Sequence, residues 1–166
     1  SGKILGIIGL GRIGSAVARR AKAFDMKLVY YDVVRKVELE KVLEVRYSSL
    51  DELLRTSDFI TVHVPLNETT RGLIGERELK MMKKSAYLVN TSRGPVIDEE
   101  ALYKALNEGW IAGAALDVFA MEPLPLDSPL IKMENLVLTP HIGSATKEAR
   151  RRMAEVDVEN VRAALT

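Results

Sequence analysis

Four side chains that bind anions or transfer protons follow apolar, strand-like runs in the second half of this chain. They are Arg93, Asp117, Glu122 and His141. The carboxyl ends of parallel strands lie at one edge of a sheet, which is where ligands bind. We therefore expect these four side chains to line one site.

This combination of side chains suits the reduction of a 2-keto acid. The Arg93 guanidinium would present a planar fork to a carboxylate and polarise the neighbouring carbonyl. Histidine exchanges protons near neutral pH, so His141 would donate one to the developing alkoxide while Glu122 fixes the orientation of its ring. A nicotinamide would supply the hydride, and Asp117 is a candidate to hold the carboxamide of that ring.

Each of these residues also has a structural explanation when it is considered alone. Arg93 would be a solvated loop arginine, Glu122 a turn residue before proline, and Asp117 a turn cap. Their joint placement at one sheet edge favours the functional interpretation. The chain has two histidines. We expect His63 to have a structural or cofactor-wall role, which leaves His141 as the proton donor.

A glycine fingerprint near the start of the chain predicts a bound dinucleotide. The sequence Gly9-Leu10-Gly11-Arg12-Ile13-Gly14 follows an apolar strand and precedes an alanine-rich helix. Gly9 would allow the tight turn, Gly11 would let the backbone approach a pyrophosphate, and Gly14 would let the helix pack on the sheet. The helix N-terminus offers unpaired N–H groups to the phosphates.

Asp32 ends the second predicted strand, where a carboxylate accepts hydrogen bonds from the adenosine ribose. The same carboxylate would repel the 2′-phosphate of NADP, so we predict that the cofactor is NAD. Arg35 and Lys36 follow closely and would reach a 2′-phosphate if the loop folded back. A solvated charged loop is the alternative that we favour for these two residues.

Strand-like and helical patterns alternate along the chain, which indicates βαβ units and a parallel sheet. The predicted strands cover residues 3–8, 27–31, 45–48, 58–64, 86–90, 111–116 and 136–138. The predicted helices cover residues 15–24, part of 33–44, 49–55, 76–84, 98–108 and 145–165. Ser49 and Glu52 have the spacing of a capping box. We predict an α/β fold, a doubly wound parallel sheet of about seven strands (a Rossmann fold), in one dinucleotide-binding domain over residues 1–166.

Composition restricts the partners of the chain. The net charge is +1 and both signs are interspersed, so we expect no nucleic acid and no membrane surface as a partner. The chain has no cysteine, which excludes disulfides and cysteine metal sites, and we predict no metal site of any kind. No apolar run is long enough to span a bilayer, and a cytoplasmic location is expected.

At these residues the chain resembles the D-isomer-specific 2-hydroxyacid dehydrogenases, which include glyoxylate/hydroxypyruvate reductases, phosphoglycerate dehydrogenases and D-lactate dehydrogenases. The resemblance extends over essentially the whole chain. The segments that carry it are Gly6–Gly14, His63–Leu66, Asn90–Gly94, Ala115–Phe119 with Glu122 and Pro123, and Pro140–Thr146.

The resemblance implies roles for individual residues. Arg93 would bind the substrate carboxylate and carbonyl, and Glu122 and His141 would form the acid–base pair. Cofactor contacts are implied for Gly9, Gly11, Arg12, Ile13, Gly14, Asp32, Val64, Thr91, Ser92, Arg93, Asp117, His141, Gly143 and Ser144. A homodimer formed through this domain is also implied.

The chain departs from the family pattern because no substrate domain precedes the glycine fingerprint. We therefore expect a cofactor domain that binds NAD but turns over a 2-keto acid very slowly or not at all, since positioning and water exclusion supply much of the rate. Two alternatives remain: an NAD(H)-sensing module related to transcriptional corepressors, and an S-adenosylmethionine-dependent transferase. Arg93, Glu122 and His141 argue against the second.

Overall fold

Seven parallel strands form a single sheet in the computed structural model, which describes residues 1–165. The spatial order is β3-β2-β1-β4-β5-β6-β7. The order reverses between β1 and β4, which creates the crevice where doubly wound sheets bind ligands. The strands are β1 (Ile4–Ile8), β2 (Lys27–Tyr31), β3 (Val45–Tyr47), β4 (Phe59–Val62), β5 (Tyr87–Asn90), β6 (Gly113–Leu116) and β7 (Leu136–Leu138).

Helices cover both faces of the sheet because side chains alternate between the two faces along each strand. On one face, Leu5 and Ile7 of β1 pack with Ala18 of α1. On the other face, Ile8 belongs to a larger core with α3, α4 and α5. The helices are α1 (Arg12–Lys22), α2 (Val37–Leu43), α3 (Leu50–Thr56), α4 (Glu76–Met81), α5 (Glu99–Asn107) and α6 (Lys147–Leu165).

This arrangement confirms the predicted doubly wound parallel sheet with seven strands, and the differences lie at element ends. The first helix begins at Arg12 instead of residue 15, so the last three residues of the glycine fingerprint lie in its first turn. The expected capping box at Ser49 is half present. The Ser49 hydroxyl accepts a hydrogen bond from the N–H of Glu52, whose carboxylate pairs instead with Arg46 at 2.8 Å.

The last helix, α6, differs from the other helices of the described chain in having no buried residue. Its apolar side chains are exposed, among them Met153, Val158, Val161 and Leu165. A long helix that leaves so much apolar surface in water is typical of an element that packs against another surface. Within residues 1–165, no helix combines the length and apolar character needed to cross a membrane.

Candidate active site and cofactor groove

The glycine loop has the geometry that the fingerprint predicts. Gly9 has a positive φ of 94°, and a Cβ there would lie 2.9 Å from the carbonyl carbon of His63. A Cβ on Gly14 would lie 2.1 Å from the carbonyl oxygen of Gly9, so only glycine allows α1 to pack this closely. A Cβ on Gly11 would meet no atom within 4 Å. The backbone at Gly11 therefore faces open space, as a close approach by a pyrophosphate requires.

Asp32 lies directly beside this loop. Its Oδ2 atom accepts a hydrogen bond from the N–H of Leu10 at 3.0 Å, which links the end of β2 to the turn after β1. A cavity of about 260 Å³ opens here, at the point where the strand order reverses. Its walls combine one carboxylate with apolar and hydroxyl groups, which fits an adenosine. The lining includes Gly9, Gly11, Asp32, Val33, Val64, Asn67, Thr69, Thr70 and Leu73.

Sequence reasoning missed the segment from Asn67 to Leu73 as part of this cavity. The Asn67 side chain accepts hydrogen bonds from the backbone N–H groups of Thr69 and Thr70, both at 3.0 Å, and so forms a tight turn. The available signal was a polar Asn-x-Thr-Thr run that begins two residues after Pro65, because Asn in such a position initiates turns.

A second cavity of about 680 Å³ continues from the glycine loop toward Arg93. Gly11, His63, Val64 and Pro65 line both cavities, so the two form one groove along the carboxyl edge of the sheet. This groove brings together several residues that the sequence assigned to the cofactor. The further lining residues are Arg12, Ile13, Leu66, Thr91, Ser92 and Arg93.

His63 forms part of the groove wall and is not a proton donor at neutral pH. Its Nε2 atom lies 2.9 Å from the Thr61 hydroxyl. Burial lowers the pKa of His63 to about 4, because desolvation disfavours the charged imidazolium. The ring is therefore neutral near pH 7, in agreement with the expected structural or cofactor-wall role.

Two residues that sequence reasoning did not single out hold the loop that carries Arg93. Asn90 is fully buried at the end of β5. Its side chain donates a hydrogen bond to the carbonyl of Arg93 at 3.0 Å and accepts one from the N–H of Ser92 at 3.0 Å. A Cβ on Gly94 would lie 1.9 Å from the carbonyl carbon of Phe119, so this loop packs directly against the loop of Glu122. An asparagine ending an apolar strand was the available signal.

His141 and Glu122 form a direct pair. The Nδ1 atom of His141 lies 2.7 Å from Oε2 of Glu122, and the backbone N–H of Phe119 donates to Oε1 at 3.0 Å. The hydrogen bond from His141, followed by that from Phe119, lowers the pKa of Glu122 below its usual value, and the charge of Arg93 contributes. Glu122 is therefore ionised at neutral pH. With Nδ1 held by Glu122, Nε2 is the imidazole atom that can exchange a proton with a substrate.

Asp117 holds the chain on both sides of His141, through the Thr139 side chain before it and two backbone N–H groups after it. Its Oδ1 accepts from the N–H of Ile142 at 2.9 Å and from the Thr139 hydroxyl, and its Oδ2 accepts from the N–H of Gly143 at 2.8 Å. Burial alone would raise the pKa of Asp117, but these hydrogen bonds lower it overall. The structure thus contains the turn-capping arrangement that the sequence left as an alternative. The contact of Asp117 with a carboxamide stays a prediction, and two carboxylate oxygens have room for a fourth donor.

The loop around His141 has an unusual backbone. His141 has a φ of 55°, in the left-handed region that non-glycine residues rarely adopt. Such strain persists only where surrounding contacts impose it, and it is common at functional sites. Gly143 lies on the same loop, and Ser144 is exposed on the segment that precedes α6.

An apolar cavity of about 570 Å³ lies beside the pair of His141 and Glu122. Its apolar walls come from Phe119, Pro123, Leu124, Leu138 and Pro140. Low-polarity walls strengthen the electrostatic interactions of the ionised Glu122 carboxylate. In the part of the chain that the structure describes, no three acidic, histidine or cysteine side chains gather as a metal site.

Comparison with known proteins agrees with this geometry. Residues 1–143 match the family model described as D-isomer specific 2-hydroxyacid dehydrogenase, NAD binding domain. A glyoxylate reductase from Korarchaeum cryptofilum is 59% identical over 160 residues, which are 96% of this chain and 48% of that protein. The chain spans about half the length of the curated relatives that it matches.

Solved structures give the same result. A glyoxylate reductase from Paecilomyes thermophila has a TM-score of 0.92 and 43% identity, covering 99% of this chain and 49% of that one. The NAD-complexed D-isomer specific 2-hydroxyacid dehydrogenase from Lactobacillus delbrueckii ssp. bulgaricus has a TM-score of 0.87 and 40% identity, covering 95% and 52%.

The family model and the relatives named above are those of dehydrogenases and reductases, which favours an NAD binding domain over the regulatory module and the S-adenosylmethionine-dependent transferase. They also agree with the groove, the glycine loop and the acidic residue at the end of β2. The chain belongs to the D-isomer specific 2-hydroxyacid dehydrogenase family, as an NAD binding domain of that family.

Proposed function

We propose that this chain is the cofactor domain of an enzyme that transfers a hydride between NAD(H) and a small D-2-hydroxy acid or its 2-keto acid. The observation that carries the proposal is the pair of His141 and Glu122, with 2.7 Å between Nδ1 and Oε2, at the same sheet edge as the glycine loop. An ionised carboxylate bound to one imidazole nitrogen leaves the other to act as a general acid or base.

The catalytic roles follow from the chemistry of the three side chains. NADH, when bound, supplies the hydride. Arg93 binds the substrate carboxylate and polarises the carbonyl. His141 donates a proton from Nε2 to the developing alkoxide, and Glu122 orients the ring and stabilises its charged form. In the reverse direction, His141 accepts the proton of the hydroxy acid.

The cofactor contacts that we propose follow the groove. The N-terminus of α1 and the open backbone at Gly11 receive the pyrophosphate, because unpaired N–H groups and the helix dipole attract anions there. Asp32 accepts hydrogen bonds from the adenine ribose. The nicotinamide lies toward Arg93, and the residues assigned to the whole cofactor are Gly9, Gly11, Arg12, Ile13, Gly14, Asp32, Val64, Thr91, Ser92, Arg93, Asp117, His141, Gly143 and Ser144.

NAD is proposed as the cofactor in preference to NADP. The Asp32 carboxylate is bonded to the N–H of Leu10 at 3.0 Å, so its negative charge is held beside the adenosine cavity. A 2′-phosphate brought to that position would meet like charge, whereas a ribose 2′-hydroxyl can donate a hydrogen bond.

We also propose that residues 1–166 form one dinucleotide-binding domain and that efficient turnover needs a substrate domain in addition to it. Two observations support this division. The His141 side chain is 48% exposed, whereas efficient hydride transfer needs a site from which water is excluded. The matched relatives are about twice as long as the chain.

We also propose a homodimer and a cytoplasmic location. The exposed apolar side chains of α6 support the homodimer.

Binding and turnover can be tested separately. NADH binding to the chain is measured by energy transfer from Trp110 to the bound nicotinamide, with Asp32→Ala as the weakened variant. Turnover is measured with a panel of 2-keto acids, including glyoxylate and hydroxypyruvate, on the longer protein that contains this domain. NADH binding with His141-dependent turnover supports the proposal. NADH binding without turnover of any 2-keto acid in the longer protein contradicts it.

A further inference from the structure

The guanidinium of Arg35 is held by a carboxylate of the neighbouring helix. Its Nε atom lies 2.8 Å from Oε1 of Glu40, and its Nη2 atom lies 2.9 Å from Oε2. The pairing is therefore bidentate, the strongest geometry between these two groups. The guanidinium carbon also lies 5.6 Å from the centre of the Tyr47 ring, within cation–π distance.

Glu40 is fixed in turn from the core side. The hydroxyl of Tyr30, a fully buried residue of β2, donates a hydrogen bond to Oε1 of Glu40 at 2.8 Å. The N–H of Lys36 donates to the same hydroxyl at 2.7 Å, which ties the loop after β2 to this network. The side chain of Glu40 is only 15% exposed. A buried residue, Tyr30, therefore helps to hold the Glu40 carboxylate in a defined position.

The protonation state of this network favours the pairing. The hydrogen bond from Arg35, followed by that from Tyr30, lowers the pKa of Glu40 to about 2. The same carboxylate raises the pKa of Arg35 above its usual value. Both groups therefore stay charged throughout the pH range in which the protein would work.

The position of Arg35 connects this network to cofactor choice. Arg35 lies in the loop that follows Asp32, where related folds use an arginine to accommodate the 2′-phosphate of NADP. A guanidinium can bind a phosphate through the same two-pronged face that Glu40 occupies here. NADP could use this face of Arg35 only by displacing Glu40, whose poorly exposed carboxylate would keep the Tyr30 hydroxyl but lose its charged partner.

We propose that Glu40 is a second determinant of NAD preference, acting by withdrawing Arg35 from the 2′-phosphate position. Glu40 is a positioning residue because it acts through Arg35 and does not touch the cofactor. The inference rests on the proposed function of the chain as an NAD-binding domain. It assigns selection against NADP to two carboxylates: Asp32 repels the phosphate, and Glu40 removes the cation that would offset this repulsion.

The test is a set of dissociation constants for NADH and NADPH, measured by nicotinamide fluorescence. The background is Asp32→Ser, which removes the direct repulsion. In this background, Glu40→Gln removes the negative charge and one of the two acceptor oxygens that hold Arg35. We expect the affinity for NADPH relative to NADH to rise about tenfold, the typical effect of one hydrogen bond to a charged group. Adding Arg35→Ala to that double variant should abolish the gain. If the gain persists without Arg35, the inference is overturned and Lys36 becomes the candidate cation.

A second comparison in the same experiment does not depend on how well the Glu40 variant folds. Arg35→Ala in the Asp32→Ser background should leave the affinity ratio unchanged, because Arg35 is already withdrawn. A tenfold loss of NADPH affinity in that variant would contradict the inference. Tyr30→Phe is the matched control, since it removes a partner of Glu40 but leaves the pairing with Arg35, and it should not change the ratio.

The outcomes also separate this inference from the proposed function. If the unmodified chain binds neither NADH nor NADPH, the proposed function fails. If the chain binds NADH and Glu40→Gln folds normally but leaves the ratio unchanged, only the role of Glu40 is refuted.

Discussion

Nδ1 of His141 lies 2.7 Å from Oε2 of Glu122, although the two residues are 19 positions apart and belong to loops after different strands. Asp117 accepts hydrogen bonds from the N–H groups of Ile142 and Gly143, directly after His141, and the N–H of Phe119 donates to Glu122. The proposed acid–base pair is thus held by loops at the ends of two neighbouring strands, β6 and β7, and is not a local turn.

Replacing Glu122 by glutamine tests the need for its negative charge. The amide oxygen can still accept a hydrogen bond from the imidazole, but the charge that stabilises the imidazolium is lost. We expect kcat of the longer protein to fall by about 10²–10⁴-fold, the usual contribution of a positioned proton donor. The dissociation constant of NADH should change little. Glu148→Gln, at an exposed glutamate of α6, is the matched control, and an equal loss there would refute a specific role for Glu122.

Asp117→Asn should loosen the loop that carries His141. An amide nitrogen would replace one of the oxygens that accept hydrogen bonds from Ile142, Gly143 and Thr139. The new amide N–H group would then face another hydrogen-bond donor, and neither would have an acceptor. A buried group left unsatisfied costs about 1–3 kcal/mol. We expect a lower melting temperature, read by circular dichroism, and weaker NADH binding. Thr139→Val removes a single hydroxyl and should give a smaller effect, so equal effects would count against the clamp.

Two glycines of the same loop should respond in opposite ways to alanine. In Gly14→Ala, the new Cβ would lie 2.1 Å from the carbonyl oxygen of Gly9, and this overpacking should cost about 1–3 kcal/mol of the free energy of unfolding. In Gly11→Ala, the Cβ meets no atom within 4 Å, so stability should be retained while NADH affinity falls about tenfold or more. Denaturant unfolding and NADH titration of both variants check this contrast. Unchanged NADH binding by Gly11→Ala would refute a pyrophosphate at this turn.

Stability should fall on acidification through the range set by His63. Burial lowers the pKa of this ring to about 4 in the folded chain, while the unfolded chain titrates at about 6.5. Between these values the unfolded state binds more protons, so the free energy of unfolding decreases as the pH falls from 6.5 to 4. His63→Asn should flatten this part of the profile, measured by urea unfolding at closely spaced pH values. A variant with the same pH dependence as the original chain would show that other groups carry the effect.

Much of the fold could be predicted from the sequence because the signals were local. Apolar runs bounded by proline, glycine and charged residues identified all seven strands, and their alternation with helical patterns identified the parallel sheet. The predicted ends of the elements were less accurate. The strand expected to cover residues 58–64 stops at Val62. Past that point, the chain leaves the sheet to form the groove wall with His63 and Pro65, and periodicity has no information about such a departure.

The site, like the fold, was predicted only in part from the sequence. Residue types at strand ends were enough to select Arg93, Glu122 and His141, since each has a recognisable chemistry. The roles of Asn90 and Gly94 in holding the loop of Arg93 were missed, because both act through contacts with backbone groups, and the asparagine at the strand end was only a weak signal. The contacts of Arg35 could not be predicted from the sequence either. The sequence allowed it either to bind a phosphate or to be solvated, and the structure shows it paired with Glu40.

The fold class, the family and the candidate reactive groups could all be predicted from the sequence. These depend on hydrophobic periodicity, on glycines at fixed spacing and on residue types, all of which are written along the chain. The contact of Oε2 of Glu122 with His141, and the hydrogen bond from the N–H of Gly143 to Asp117, are seen only in the tertiary structure. The physical reason is that these contacts join loops distant in sequence, and their geometry depends on how neighbouring strands align, which no short stretch of residues encodes.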